Sequence, residues 1–185
     1  MKKTLKFITL LAIMVLLVVT LTGCTSDNTG SSVETNGGTT KQESKKEAPT
    51  IKVGETWVVD GQWKLTINSV KTTKTRNEFS DTNPEQVVYV TYTYENIGFK
   101  DSNGIMDGLY FDLTSGQIVD GNGEMGYSYP NDITNYPKET PVGAKCVNAQ
   151  CCIGLNNKSE QFTINFSTYD GNSNRQEAKF VLDVD

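Results

Sequence analysis

Histidine is missing from this sequence altogether. That removes the commonest general base, the commonest zinc ligand and the usual partner of a serine or cysteine nucleophile. Catalysis would then have to rest on paired carboxylates or lysine. No spacing among Asp107, Asp112, Asp132 and Glu139 shows that any two converge, so the chain reads as non-catalytic, with solvated surface charge as the default. Positive charge is in deficit: 17 Lys and Arg stand against 22 Asp and Glu, a net charge of −5. An acidic surface repels phosphate backbones, which argues against nucleic-acid binding and against electrostatic adhesion to anionic lipid. After residue 24 there is also no sustained i, i+3, i+4, i+7 apolar stripe, so nothing in the body of the chain calls for a helical domain.

What is present begins with an address. Lys2, Lys3 and Lys6 precede an almost wholly apolar run from Phe7 to Thr20, which ends in Leu21-Thr22-Gly23-Cys24. A basic start, an apolar stretch and small residues at a cleavage point make a secretory signal, residues 1–23. The ending resembles the lipobox of bacterial lipoproteins, in which Cys24 receives a diacylglycerol and becomes the mature first residue. A spanning helix needs roughly 20 apolar residues, and this run is shorter and stops at a cysteine. Residues 1–23 carry three lysines and no acid, so their removal takes the net charge from −5 to −8. The acyl chains must then do the anchoring, at about 0.8 kcal/mol per buried CH₂. The expected location is the cell membrane, lipid-anchored, on the extracytoplasmic side.

Residues 24–50 form the next unit. Thr25 to Thr50 contains one valine, one alanine and no aromatic residue among many Ser, Thr, Asn, Gly, Lys and Glu. Such a segment cannot bury enough apolar surface to offset its ordering entropy. It reads as a disordered tether whose r.m.s. span is about 30 Å.

Residues 51–185 read as a single folded domain. Trp57 to Val59 and Trp63 to Ile67 are short strands joined by an Asp60-Gly61 turn. Gln86 to Glu95 is the strongest strand, with Val88, Val90, Tyr92 and Tyr94 on one face and Val87, Tyr89, Thr91 and Thr93 on the other; both faces suit a central strand. Leu109 to Leu113 reads as a further short strand. Phe162 to Ser167 and Ala178 to Val184 alternate as a C-terminal hairpin across Asp170 to Asn174. About seven or eight strands between Gly, Asn, Asp and Pro clusters predict an all-β, antiparallel sandwich, with a small barrel as the competing closure.

The order Val53-Gly54-Glu55, a WxLxI strand, VVYVTYTYEN with Ile97-Gly98, and Thr140-Pro141-Val142-Gly143-Ala144-Lys145 resembles a family of uncharacterised bacterial surface lipoproteins. Its members have one immunoglobulin-like domain, similar in fold to a mycobacterial secreted immunoprotective antigen. The resemblance spans 51–185 together with the lipobox and tether. It implies an immunoglobulin-like sandwich and supplies no catalytic residues, no cofactor and no established activity.

Three features could carry chemistry. With Cys24 lipidated, Cys146, Cys151 and Cys152 remain, an odd number. On one straight strand Cys146 and Cys151 would lie roughly 16 Å apart, beyond the ~7 Å a disulfide allows; a tight turn at Val147 to Gln150 would close that gap. Buried free thiols, one disulfide and a soft-metal site lacking its fourth ligand all stay open, although C-x₄-C-C matches no zinc spacing. Asp120-Gly121-Asn122-Gly123-Glu124 places oxygens as a calcium loop would, but positions six and twelve of an EF-hand count hold Met125 and Asn131, so a Gly-rich connecting loop explains the same letters. Phe79 to Glu85 reads as a solvated loop. Tyr127, Tyr129 and Tyr136, set among prolines and small polar residues from 127 to 137, have the chemistry of a binding loop; alternatively these rings cover the open edge of the sandwich.

The leading expectation is a lipid-anchored, non-catalytic domain that binds an extracellular protein or a wall polymer. The alternative is a thiol-based redox or metal-handling lipoprotein centred on Cys146, Cys151 and Cys152.

Overall fold

The computed structural model describes residues 47–101 and 108–185. The signal segment, Cys24, the tether up to residue 46 and Asp107 lie outside the described residues. Nine strands are present among the described residues: β1 (Thr50–Lys52), β2 (Thr56–Val59), β3 (Trp63–Thr73), β4 (Gln86–Asn96), β5 (Gln117–Val119), β6 (Tyr127–Ser128), β7 (Lys145–Leu155), β8 (Gln161–Tyr169) and β9 (Arg175–Asp183). They form a four-stranded sheet, β1-β9-β8-β5, and a five-stranded sheet, β2-β3-β4-β7-β6. Inner-face residues of both, among them Leu65, Val90, Ile153, Ile164 and Phe180, make one core, so the closure is a sandwich.

Alternation in the sequence explains most of this. β4 pairs with β3 on one side and β7 on the other, and buries Val88, Val90, Tyr92 and Tyr94 completely. The β2–β3 turn places Gly61 at φ +70°, a conformation that L side chains rarely adopt, while Gln62 N–H donates to the Val59 carbonyl at 3.0 Å. The two sheets meet on aromatic rings. Trp57 lies edge-on to Trp63, Phe166 and Phe180, and Phe111 meets Tyr94 with ring centroids 5.4 Å apart at 89°. Such edge-to-face pairs contribute about 0.5–1.5 kcal/mol beyond their area burial.

Three expectations need correction. The sandwich is not wholly antiparallel, because β1 runs parallel to β9. The chain leaves one sheet at Lys52 and joins the other at Thr56, turning on Gly54 at φ +84°. The short strand β6 opens the 127–137 stretch that was expected to be loop. Leu109 to Leu113 is not a strand: Leu109 makes only an isolated bridge to Thr140. Tyr92 Oη donates to the Phe111 carbonyl at 2.8 Å, and the Asp112 carboxylate accepts from Thr114 N–H and Oγ1, starting a 3₁₀ turn at Leu113–Ser115. The alternation nevertheless holds at the side-chain level, since Leu109, Phe111 and Leu113 are buried and Tyr110 is exposed.

Candidate binding face along the edge of the five-stranded sheet

β6 covers only Ile153 and Gly154 of β7. The rest of that strand would be a bare edge, and bare edges recruit other chains. The segment from Tyr129 to Pro137 covers it as a strap. Tyr129 N–H donates to the Cys152 carbonyl (2.9 Å), and Gln150 N–H donates to the Asn135 carbonyl (2.8 Å). Asn135 Nδ2 donates to the Val147 and Asn148 carbonyls at 2.7 and 2.9 Å, where β7 bulges. Thr134 gives both N–H and Oγ1 to Gln150 Oε1 at 2.9 Å.

Beneath the strap lies a second small apolar cluster on the outer face of the sheet. Val87, Tyr129 and Cys152 are its buried centre, with Tyr89, Tyr127 and Ile133 around them. Tyr129 is only 3% exposed, and its hydroxyl accepts from Asn77 N–H at 3.0 Å. Tyr127 is half-buried over Gly154, where an added Cβ would come within 2.8 Å of its ring. These two rings therefore cover the sheet, while Tyr136, 62% exposed, faces outward.

The strap is flanked by two open clefts. One, of ≈200 Å³, is lined by Tyr110, Asp112, Ile133, Tyr136, Pro137 and Gln150, among others. The other, of ≈370 Å³, is lined by Arg76, Glu78, Phe79, Asn131 and Asp132, among others. Phe79 is 86% exposed, yet it sits on an ordered turn. Asn77 Oδ1 accepts from Phe79 N–H, Asn77 carbonyl accepts from Ser80 N–H, and Asn77 Nδ2 ties the turn to the Pro130 carbonyl. The sequence reading placed Phe79 in a solvated loop and passed over Tyr110. For Phe79 the available signal was an aromatic residue inside an otherwise polar run; Tyr110, between Leu109 and Phe111, offered none.

The three cysteines are free and buried. β7 is one strand with a bulge at Asn148 (φ +56°), so the turn that would have joined Cys146 to Cys151 is absent. Cys151 pairs with Val90 on the inner face, whereas its neighbour Cys152 pairs with Tyr89 on the outer. Burial pushes the Cys152 thiol up to about 11, against the smaller pull of Asn131, the Ile153 backbone and Arg76. Cys151 is raised further, by burial first and then by the charges of Asp112 and Cys152. Thiols held protonated in this way are weak nucleophiles and weak metal ligands. Among the described residues no cluster of three or more Cys, Asp or Glu is arranged to hold a metal ion.

Asp120 has no room for a cation either. Its Oδ1 accepts from the N–H groups of Asn122 and Glu124, and its Oδ2 from Asn157 N–H and Nδ2, all within 3.0 Å. Asp170 repeats the device: Oδ1 accepts from Asn172 and Asn174 N–H, and Oδ2 from Asn174 Nδ2 and Gln176 Nε2. Each is the first residue of an Asp-Gly-Asn turn, a repeat that the calcium reading of 120–124 concealed. Burial opposes ionisation of both carboxyls, but the converging donors outweigh it and hold both below the usual carboxylate range. Of the other carboxylates, Asp112 and Asp132 line separate clefts.

Two sheets of four and five strands around an aromatic core define an immunoglobulin-like β-sandwich, here carrying a strapped edge with exposed rings. The fold is similar to that of the secreted protein MPT63 of Mycobacterium tuberculosis, at 12% identity over 75% of this chain and 98% of that one, with a TM-score of 0.52. The yjhA protein of Bacillus subtilis aligns at 16% identity over 73% of this chain and 99% of that one, with a TM-score of 0.46. At 12% identity the likeness to MPT63 is one of fold alone. No family model and no curated protein sequence matches the chain.

Proposed function

We propose that this chain is a lipid-anchored extracytoplasmic domain, tethered through Cys24, that binds an extracellular protein or a cell-wall polymer without catalysing a reaction. The observation that carries the reading is the strap: a hydrogen-bonded loop that leaves Phe79, Tyr110 and Tyr136 exposed beside two clefts. Aromatic rings held on ordered backbone give large contact area at low entropic cost. Thiols pushed towards the protonated form by burial favour binding over thiol chemistry. The sandwich shared with a secreted protein is in keeping with the outward address read from residues 1–24.

Two experiments test this in intact cells. Metabolic labelling with an alkynyl fatty acid should tag the full-length protein, and Cys24→Ser should abolish the tag. A photo-crosslinking side chain at position 136 should trap a surface macromolecule, with the adduct lost in Phe79→Ala and absent when the probe sits at Tyr169, which is equally exposed on the other sheet. Equal adducts from positions 136 and 169 would remove the case for this face.

A further inference from the structure

The smaller cleft has a composition of its own. Its lining includes the exposed Tyr110 and Tyr136, its one carboxylate is Asp112, and no lysine or arginine lines it. At ≈200 Å³ it falls below the roughly 300–1,000 Å³ of ordinary small-molecule pockets and suits a single side chain or a small group. Asp112 is held in place: Thr114 N–H and Oγ1 both donate to its Oδ1, at 2.9 and 2.7 Å. Among the hydrogen bonds of the described residues, none falls on Oδ2. The field of this carboxylate is felt across the cleft, since after burial it is the next influence raising both the Tyr110 hydroxyl and the Cys151 thiol. Gln150 cannot supply a competing carbonyl, because its Oε1 already accepts from Thr134.

Tyrosine rings beside a fixed anion, with no lysine or arginine in the lining, are surroundings that attract an organic cation. We infer that this cleft is a recognition site for a primary alkylammonium group, the side chain of a lysine on the partner, with Asp112 Oδ2 accepting from the ammonium and Tyr110 and Tyr136 flanking its methylenes. The inference rests on the binding face proposed above and adds the chemistry of what enters it. A primary amine fits better than a quaternary one, because a carboxylate oxygen is wasted on a group without N–H.

The test titrates the full chain with Nα-acetyl-lysine N-methylamide while the tyrosine ring resonances are followed by NMR. Saturable shifts confined to Tyr110 and Tyr136, weakened about fivefold or more in Asp112→Asn and in Tyr136→Leu, are expected. Asp112→Asn keeps an Oδ1 for Thr114, so the 3₁₀ turn survives and loss of binding reports charge. Three outcomes would overturn the assignment: no shift at 50 mM probe, equal affinity for the norleucine analogue, or tighter binding of choline than of the lysine probe. If the lysine probe fails while the position-136 crosslink persists, the ammonium assignment is wrong and the binding face stands.

Discussion

Tyr129 and Tyr136 belong to one tyrosine- and proline-rich stretch and do opposite things. Tyr129 supports the outer-face cluster and accepts from Asn77, so removing its ring leaves a cavity as well as an unpaired N–H. Tyr129→Ala should cost about 3–5 kcal/mol of folding stability, and Tyr129→Phe about 1 kcal/mol. Tyr136→Ala should stay within about 0.5 kcal/mol, because its side chain is mostly in solvent. Urea denaturation of the three variants checks the order; equal midpoints for Tyr129→Ala and Tyr136→Ala would contradict the geometry. Residue identity alone could not separate these tyrosines. Both flank prolines, and only the sheet beneath decides which ring has a partner.

Among the elements, β7 and the strap depend on one polar knot. The bulge sets Asn148 at φ +56°, and Asn148 Oδ1 accepts from Asn68 Nδ2 at 2.7 Å. Thr93 Oγ1 accepts from Asn68 Nδ2 and from Asn148 N–H, at 2.8 and 3.1 Å. Asn135 closes the knot from the strap side. Asn148→Gly should be tolerated, since glycine adopts this conformation freely, whereas Asn148→Val should destabilise by more than 1 kcal/mol. Asn135→Ala should raise amide exchange at Gln150, whose donor pairs with the strap, while leaving Tyr92 in the centre of β4 protected. Uniform exchange along β7 in that variant would mean that the strap is held by something other than this knot. The period-2 pattern of β4 was legible because burial repeats every second residue. The bulge was not, because Val147 to Gln150 suited either a tight turn or a continuous strand until Thr93 is placed opposite Val147 and Asn148.

For the whole molecule, the two Asp-Gly-Asn turns couple folding to acid. Both carboxyls are lower in the folded state than the ordinary value near 3.9, so below about pH 5 the unfolded chain binds more protons. Their stabilisation is present above the unfolded pKa and is lost as pH falls through the folded one. The chain has no histidine and burial pushes the Cys151 and Cys152 thiols up, so no comparable loss is expected between pH 5 and 8. The thermal midpoint should be flat over that range and drop below about pH 4. Asp120→Asn with Asp170→Asn should flatten the acid limb and lower the plateau, since each new NH₂ faces donors, at about 1–3 kcal/mol per site. An unchanged acid limb in the double variant would place the coupling elsewhere.

By itself the sequence determined the fold class, the central strand and the hairpin turns. Each is written in local periods and short motifs that neighbouring residues enforce. Tertiary structure alone decided that Leu109 to Leu113 runs as bridge and turn, because Tyr92 claims the Phe111 carbonyl from another strand. It also decided which thiols share a face, and that Phe79 and Tyr110 lie beside the strap that carries Tyr136. Those contacts join residues far apart in the chain, and no local pattern carries that information.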